Sequence, residues 1–143
     1  KEITTEGGLN LNYNKNFLKN LIKKLRKNKS RVSLFIEPRL KDILEAKKLN
    51  ADCVEIHTGK FCNLVNKKKN YNNEFKKIKK IIKIGSNLGL EIHAGHGLTY
   101  NSARILAKLK NIKEFNIGHF LIGESIFIGM SATIKSFKKI LNS

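Results

Sequence analysis

The feature that most constrains the fold is a regular alternation of strand-like and helix-like segments. Four short runs have the length and the branched or aromatic composition of strands, and we predict strands over 32–36, 53–57, 90–94 and 115–118. Around them, apolar residues recur at intervals of three and four, which is typical of amphipathic helices. A helix between two strands returns the chain to the same end of the sheet, so this order predicts an α/β fold with parallel strands.

One segment breaks the alternation. Residues 60–73 are rich in Lys and Asn, and we predict a loop there that is long enough to act as a lid over a site. No Pro-rich or charged linker divides the chain. We therefore expect residues 1–143 to belong to a single domain.

Polar side chains alternate with apolar ones within the predicted strands. If apolar Val54 and Ile56 pack against the helices, their neighbours face the other side of the sheet. The residues predicted by this alternation to face inward are Ser33, Phe35, Cys53, Glu55, His57, Glu91, His93 and Asn116. Barrel interiors are usually filled with branched apolar residues, and buried polar groups need partners. Polar inward residues on three successive strands therefore predict a functional site.

The histidines strengthen this prediction. The chain has four, all at or just beyond the carboxyl end of a predicted strand: His57, His93, His96 and His119. Parallel βα folds bind ligands at that end, and imidazole titrates near neutral pH, which suits proton transfer. A metal site is the alternative use, but the sequence has no HExxH motif and no Cys/His pairs at ligand spacing. For His57 we favour a structural pairing with Glu55 or Glu91.

Glycines surround one of these histidines in EIHAGHGLTYN, residues 91–101. Gly95 and Gly97 let the backbone turn sharply and approach a ligand, while His96 is presented between them. The pattern returns as IGH at 117–119, after the last predicted strand. Glycine turns after the last two strands of a barrel commonly bind phosphate. Each turn alone is weak evidence, but together they favour a phosphorylated substrate.

The charge of the chain raises a different possibility. A formal net charge of +18 suits an RNA-binding protein, because cations neutralise phosphates. However, nearly all of the cations are Lys, whereas base recognition favours Arg and stacking requires aromatic residues among the charges. We interpret the Lys residues as solvated helix faces, and we expect neither nucleic acid nor membrane as a partner. The sequence lacks a signal-peptide pattern and a long apolar run, so we expect a cytoplasmic protein.

Five short motifs carry a family resemblance: TTEGGL at 4–9, VSLFI at 32–36, EIHTG at 55–59, AGHGLTYN at 94–101 and NIGHFLIG at 116–123. In this order and spacing they resemble the pyridoxine 5′-phosphate synthase family, and the resemblance extends over essentially the whole chain. It implies the carboxyl-terminal portion of a TIM (β/α)₈ barrel, beginning just after the fourth strand.

The resemblance also implies a reaction. The family condenses 1-deoxy-D-xylulose 5-phosphate with 3-amino-2-oxopropyl phosphate, releasing phosphate and water, and it needs no metal or organic cofactor. By motif, His96 corresponds to the proton donor and Glu55 to the residue that stabilises charge in the transition state. The residues implied to bind the substrates are Thr4, Gly97, Gly118 and His119. His93 stands where the family commonly has Asn, so we expect no catalytic role for it.

The resemblance further implies that an amino-terminal half-barrel with other acid–base residues is missing. We therefore expect the isolated piece to be inactive and to pair through its open sheet edges, whereas the family forms a homo-octamer. Two alternatives remain open. Another phosphate-binding barrel enzyme would explain the glycine turns, and a basic RNA-binding protein would explain the charge.

Overall fold

The computed structural model of this protein describes residues 7–142. Within them, helices and strands alternate as follows: α1 Lys15–Lys27, β1 Ser33–Ile36, α2 Leu40–Lys48, β2 Cys53–His57, α3 Gly59–Asn66, α4 Asn72–Asn87, β3 Glu91–Gly95, α5 Tyr100–Leu106, β4 Ile112–Asn116, α6 His119–Ile128 and α7 Met130–Leu141. In this part of the chain, no helix has both the length and the apolar composition needed to cross a lipid bilayer.

The four strands form one parallel sheet in the order β1-β2-β3-β4. This confirms the predicted α/β fold, and the arrangement is consistent with part of a TIM barrel. The register places Glu55 beside His93 on β3, and Gly95 beside Asn116 on β4. These side chains therefore lie on one face of the sheet, as the alternation of the sequence predicts.

The helices cover the opposite face of the sheet. Six side chains from strands and helices lie in this core and are almost completely buried: Ile36, Ile43, Ile56, Ile78, Ile92 and Leu106. The lysines of α4 lie on its exposed side, while Ile78, Ile81 and Ile82 are buried. The amphipathic pattern of α4 therefore orients the helix, because its apolar stripe is what the sheet can bury.

The predicted loop over 60–73 is wrong for most of its length. Residues 59–66 form α3 and α4 already begins at Asn72, so only five residues separate the two helices. Phe61 and Cys62, 0% and 1% exposed, anchor α3 to the core. The Lys and Asn residues obscure this pattern in the sequence, because residues 67–70, all Lys or Asn, directly follow a helix of only eight residues. Residues 60–73 are therefore mostly helical and do not form the long irregular loop that we expected as a lid.

The last strand also differs from the prediction. Strand β4 begins at Ile112, three residues before the predicted start, and ends at Asn116. The chain then enters α6 at His119. Helix α6 has no buried residue, and its Ile126 and Phe127 are 78% and 84% exposed. Periodicity gives no signal for α6, because its many apolar residues are not confined to one face of the helix.

The burial pattern predicts which isoleucines stabilise the fold. Ile92→Ala should lower the free energy of unfolding by about 2–5 kcal/mol, since Ile92 is fully buried at the centre of the sheet. Ile126→Ala removes the same atoms from an exposed position and should change it by less than about 0.5 kcal/mol. Urea unfolding monitored by circular dichroism measures both, and equal effects would contradict this view of the core.

Candidate active site

A cavity of about 610 Å³ opens beyond the carboxyl ends of β3 and β4. Four residues singled out from the sequence line it, namely His96, Gly97, Gly118 and His119. Asn116, at the end of β4, lines it as well. The predicted Thr4 lies outside the described residues. The two glycine turns thus open onto a shared space, as expected from parallel strands that end at one edge of a sheet.

Glu55 does not line the cavity itself, but it contacts Asn116 of the cavity wall through an interaction that spans three strands. Its Oε2 accepts a hydrogen bond of 2.7 Å from the side-chain amide of Asn116, although β3 lies between their strands. The carboxylate can cross β3 because residue 95 is glycine. A Cβ atom on Gly95 would lie 1.8 Å from Oε1 of Glu55. The missing side chain therefore makes room for the carboxylate.

Two opposing effects act on the ionisation of Glu55. Partial burial raises the pKa of its carboxyl, and this is the larger effect, while the hydrogen bond from Asn116 lowers it. A carboxyl whose pKa is raised by folding destabilises the native state as the pH rises through that pKa. The stability of the fold therefore does not account for a partly buried carboxyl at this position. A perturbed carboxyl beside a cavity is instead typical of functional sites.

His96 occupies an unusual backbone conformation at the cavity wall. Its φ is 74°, and the following Gly97 has φ 75°. Glycine adopts this region freely, but a residue with a Cβ seldom does, and such outliers are concentrated at functional sites. The turn presents the imidazole beside Phe35 and His57, and the two imidazole ring centroids are 4.6 Å apart.

The partner of His57 differs from the expectation. The sequence favoured Glu55 or Glu91, but Nδ1 of His57 lies 3.2 Å from Oε1 of Glu37. The same oxygen accepts a hydrogen bond of 3.0 Å from the backbone N–H of Gly8. Sequence reasoning missed Glu37, although it continues the inward alternation of Ser33 and Phe35 just beyond β1. Extending that alternation past the strand end would have found it.

His93 is separate from the other histidines. It is 3% exposed and lies between two carboxylates: Nε2 is 2.9 Å from Glu91 and Nδ1 is 3.3 Å from Glu114. Arg31 also pairs with Glu91, and the hydrogen bonds from His93 and Arg31 hold the pKa of Glu91 below its usual value. His93 is therefore paired within the sheet. Of the four histidines predicted to cluster, the other three lie near the cavity.

Gly118 and His119 form the start of α6, with Gly118 as the N-cap residue. The first backbone N–H groups of a helix lack intrahelical partners, and the helix dipole favours negative charge there. His119 is exposed at this position and faces the same cavity as His96. This end of the cavity can accommodate a phosphate group. Among residues 7–142, no three His, Cys, Asp or Glu side chains are placed to hold a metal ion together.

Comparison with known proteins agrees with this arrangement. The family model described as pyridoxal phosphate biosynthesis protein PdxJ matches residues 1–143. Similar proteins named pyridoxine 5′-phosphate synthase include those of Pelagibacter ubique, 57% identical over 142 residues, Zymomonas mobilis, 46% over 143, and Sulfurihydrogenibium sp., 41% over 141. The chain belongs to the PdxJ family.

The alignments include nearly all of this chain but only part of each relative. They cover 99%, 100% and 99% of this chain, but 59%, 55% and 57% of the respective relatives. The chain thus spans somewhat more than half the length of the relatives it matches. The activity of a whole synthase can therefore be assigned to it only as a proposal.

The interaction between Asn116 and Glu55 can be tested by titration. Asn116→Ala should raise the pKa of Glu55 further, because it removes a hydrogen bond that stabilises the ionised carboxylate. The control is Asn101→Ala, at an exposed site on α5. Carboxyl ¹³C NMR titration of the three proteins gives the pKa directly, and an unchanged or lowered pKa in Asn116→Ala would contradict the assigned contact.

Proposed function

We propose that this chain is the carboxyl-terminal part of a pyridoxine 5′-phosphate synthase. In this proposal the whole enzyme condenses 1-deoxy-D-xylulose 5-phosphate with 3-amino-2-oxopropyl phosphate, forming pyridoxine 5′-phosphate, phosphate and water. The observation that carries the proposal is the position of Glu55, which extends across Gly95 to Asn116 at the cavity that His96 also lines. The relatives are named for the synthesis of pyridoxine 5′-phosphate, which supports the proposed product.

Acid–base chemistry is assigned to His96 and charge stabilisation to Glu55. Condensing an amine with a ketone, losing water and expelling phosphate each require protons to be moved at a fixed place. His96 supplies the proton to the leaving oxygen from the wall of the cavity. The carboxylate of Glu55 stabilises the positive charge that develops on the substrate nitrogen, and its hydrogen bond to Asn116 favours the ionised form.

Phosphate binding is assigned to the glycine turns. Gly97 and Gly118 can offer backbone N–H groups without a side chain in the way, and His119 adds a ring N–H at the start of α6. Together they would hold the phosphate of the amino-ketone substrate. The family resemblance assigns Thr4 to the deoxyxylulose phosphate.

The proposal includes the missing part of the barrel. Strand β4 is the last strand of the sheet within residues 7–142, and the neighbouring α6 exposes Ile122, Ile126 and Phe127. An open edge strand and an exposed apolar helix both favour a further packing partner. We infer that an amino-terminal half-barrel closes against this side and completes the catalytic residues, and that the whole enzyme assembles as a homo-oligomer, an octamer in the family.

A chimera tests the function directly. The amino-terminal part of the Pelagibacter ubique synthase that this chain does not match is joined in frame to residue 1. We expect the chimera to restore growth without vitamin B6 to a bacterial strain that lacks the synthase. His96→Ala in the chimera should abolish rescue, because the proton donor is lost.

The control is His93→Asn, which changes a histidine that is paired within the sheet rather than exposed to the cavity. This variant should still restore growth. Rescue by His96→Ala would contradict the assigned proton donor, and failure of the unsubstituted, soluble chimera to rescue would contradict the proposed function.

A further inference from the structure

The backbone turn that carries His96 requires support from elsewhere in the structure. His96 and Gly97 both have positive φ, 74° and 75°. For His96 this conformation is unfavourable, because its Cβ approaches its own backbone carbonyl group more closely than in ordinary conformations. Such a residue keeps its conformation only where surrounding contacts fix it. The direction of the imidazole therefore depends on those contacts.

Thr58 donates hydrogen bonds to two consecutive carbonyl groups of this turn. It is the residue after β2 and is completely buried. Its backbone N–H donates a 2.9 Å hydrogen bond to the carbonyl oxygen of Gly95. Its hydroxyl lies 2.7 Å from the same oxygen and 2.8 Å from the carbonyl oxygen of His96, so one hydroxyl proton is shared between two consecutive carbonyl groups.

The surroundings hold Thr58 itself in place. The Sγ of Cys62, one turn further along α3, lies 3.5 Å from the Thr58 hydroxyl oxygen and can donate to it. Since the hydroxyl oxygen of Thr58 accepts a hydrogen bond from Cys62, the hydroxyl proton of Thr58 is directed towards the carbonyl groups of the turn. Cys62 is buried, and its Cβ would lie 3.2 Å from a Cβ added to Gly97. The start of α3 therefore packs directly against the turn.

The side chain of His96 is confined by the same segment. A Cβ on Gly59 would lie 2.7 Å from Cδ2 of His96 and 3.0 Å from Nε2 of His57. Residue 59 must therefore be small for the two imidazole rings to lie at their observed separation of 4.6 Å. Thr58 is the member of the tripeptide 57–59 that bonds to the backbone of the turn, whereas its neighbours shape the space around the ring.

We propose that Thr58 is a positioning residue for His96. Its hydroxyl fixes the carbonyl groups of Gly95 and His96, holds the turn in its left-handed conformation and thereby aims the imidazole at the substrate. The expected effect on kcat rests on the proposed function. The effect on the conformation of His96 does not, because it can be measured in the chain without any enzyme assay.

The kinetic test uses the chimeric synthase. Thr58→Val keeps the shape of the side chain and removes the hydroxyl, and it should lower kcat by about ten-fold or more, since a small misplacement of a catalytic group is costly. KM should change by less than about two-fold, because substrate contacts are retained. Thr58→Ser keeps the hydroxyl and should recover most of the activity.

The matched control is Thr133→Val. Thr133 is also completely buried, and its hydroxyl donates to the carbonyl oxygen of Gly129 at 3.0 Å in α7, away from the cavity. This variant loses a comparable buried hydrogen bond and should keep its kcat. If Thr58→Val and Thr133→Val lower kcat equally, or if Thr58→Ser is as impaired as Thr58→Val, Thr58 has only a structural role and the proposal is wrong.

A second measurement separates this proposal from the proposed function. The backbone ¹³C shifts and the amide-to-Hα coupling of His96 in the chain itself report its φ. They should indicate the left-handed conformation in the unsubstituted chain and in Thr58→Ser, and change in Thr58→Val. If Thr58→Val does not fold, Thr58→Ala provides the same loss of the hydroxyl with less steric change.

The outcomes remain distinct. An inactive unsubstituted chimera contradicts the proposed function, while the NMR comparison still decides whether Thr58 holds the turn. An active chimera whose Thr58→Val variant keeps both kcat and the His96 conformation contradicts the role of Thr58 and leaves the proposed function standing.

Discussion

The arrangement of the site depends on the contact between Glu55 and Asn116 across Gly95. Neighbouring parallel strands ordinarily place their side chains in separate columns, so a carboxylate on β2 meets β3 rather than β4. Here the glycine on β3 leaves a gap, and the carboxylate extends through it to an amide on β4. Three strands are thereby joined by one polar interaction beside the cavity. A Cβ atom at position 95 would clash with the carboxylate in its observed position.

The electrostatics of the site follow from that geometry. Burial of Glu55 away from solvent disfavours its ionised form, whereas the hydrogen bond from the neutral amide of Asn116 favours that form. An amide can stabilise a carboxylate without neutralising it, whereas a lysine or arginine would form an ion pair. The chain uses stronger pairings elsewhere, as in the contacts of His93 with Glu91 and Glu114.

Much of the fold and part of the site could be predicted from the sequence. The alternation of Val54, Glu55 and Ile56 was sufficient to assign faces, because a strand has a period of two and helices cover only the outer face of a barrel. The same rule placed Asn116 on the face of Glu55. It could not show that the two side chains meet, because that contact depends on the absence of a side chain from a third strand.

Other features depend on tertiary structure that local patterns do not contain. The pairing of His57 with Glu37 and the positive φ of His96 arise from contacts between residues far apart in the sequence. Helix α3 was missed because it is short and is followed directly by residues 67–70, a run of Lys and Asn that usually indicates a loop. Helix α6 could not be recognised from periodicity, because its apolar residues are not confined to one face. In α3 composition concealed the pattern, whereas α6 has no buried face in residues 7–142 that would produce one.

The most direct measurement of the central contact follows the side-chain amide of Asn116 by ¹⁵N NMR as Glu55 is titrated. In the unsubstituted chain, this resonance should move with the ionisation of Glu55, since the two groups are hydrogen-bonded. In Gly95→Ala the added methyl group should displace the carboxylate, so the resonance should lose that pH dependence while the core amides keep their positions. If it still follows Glu55 in Gly95→Ala, the carboxylate does not depend on the gap at Gly95 and this account of the site is wrong.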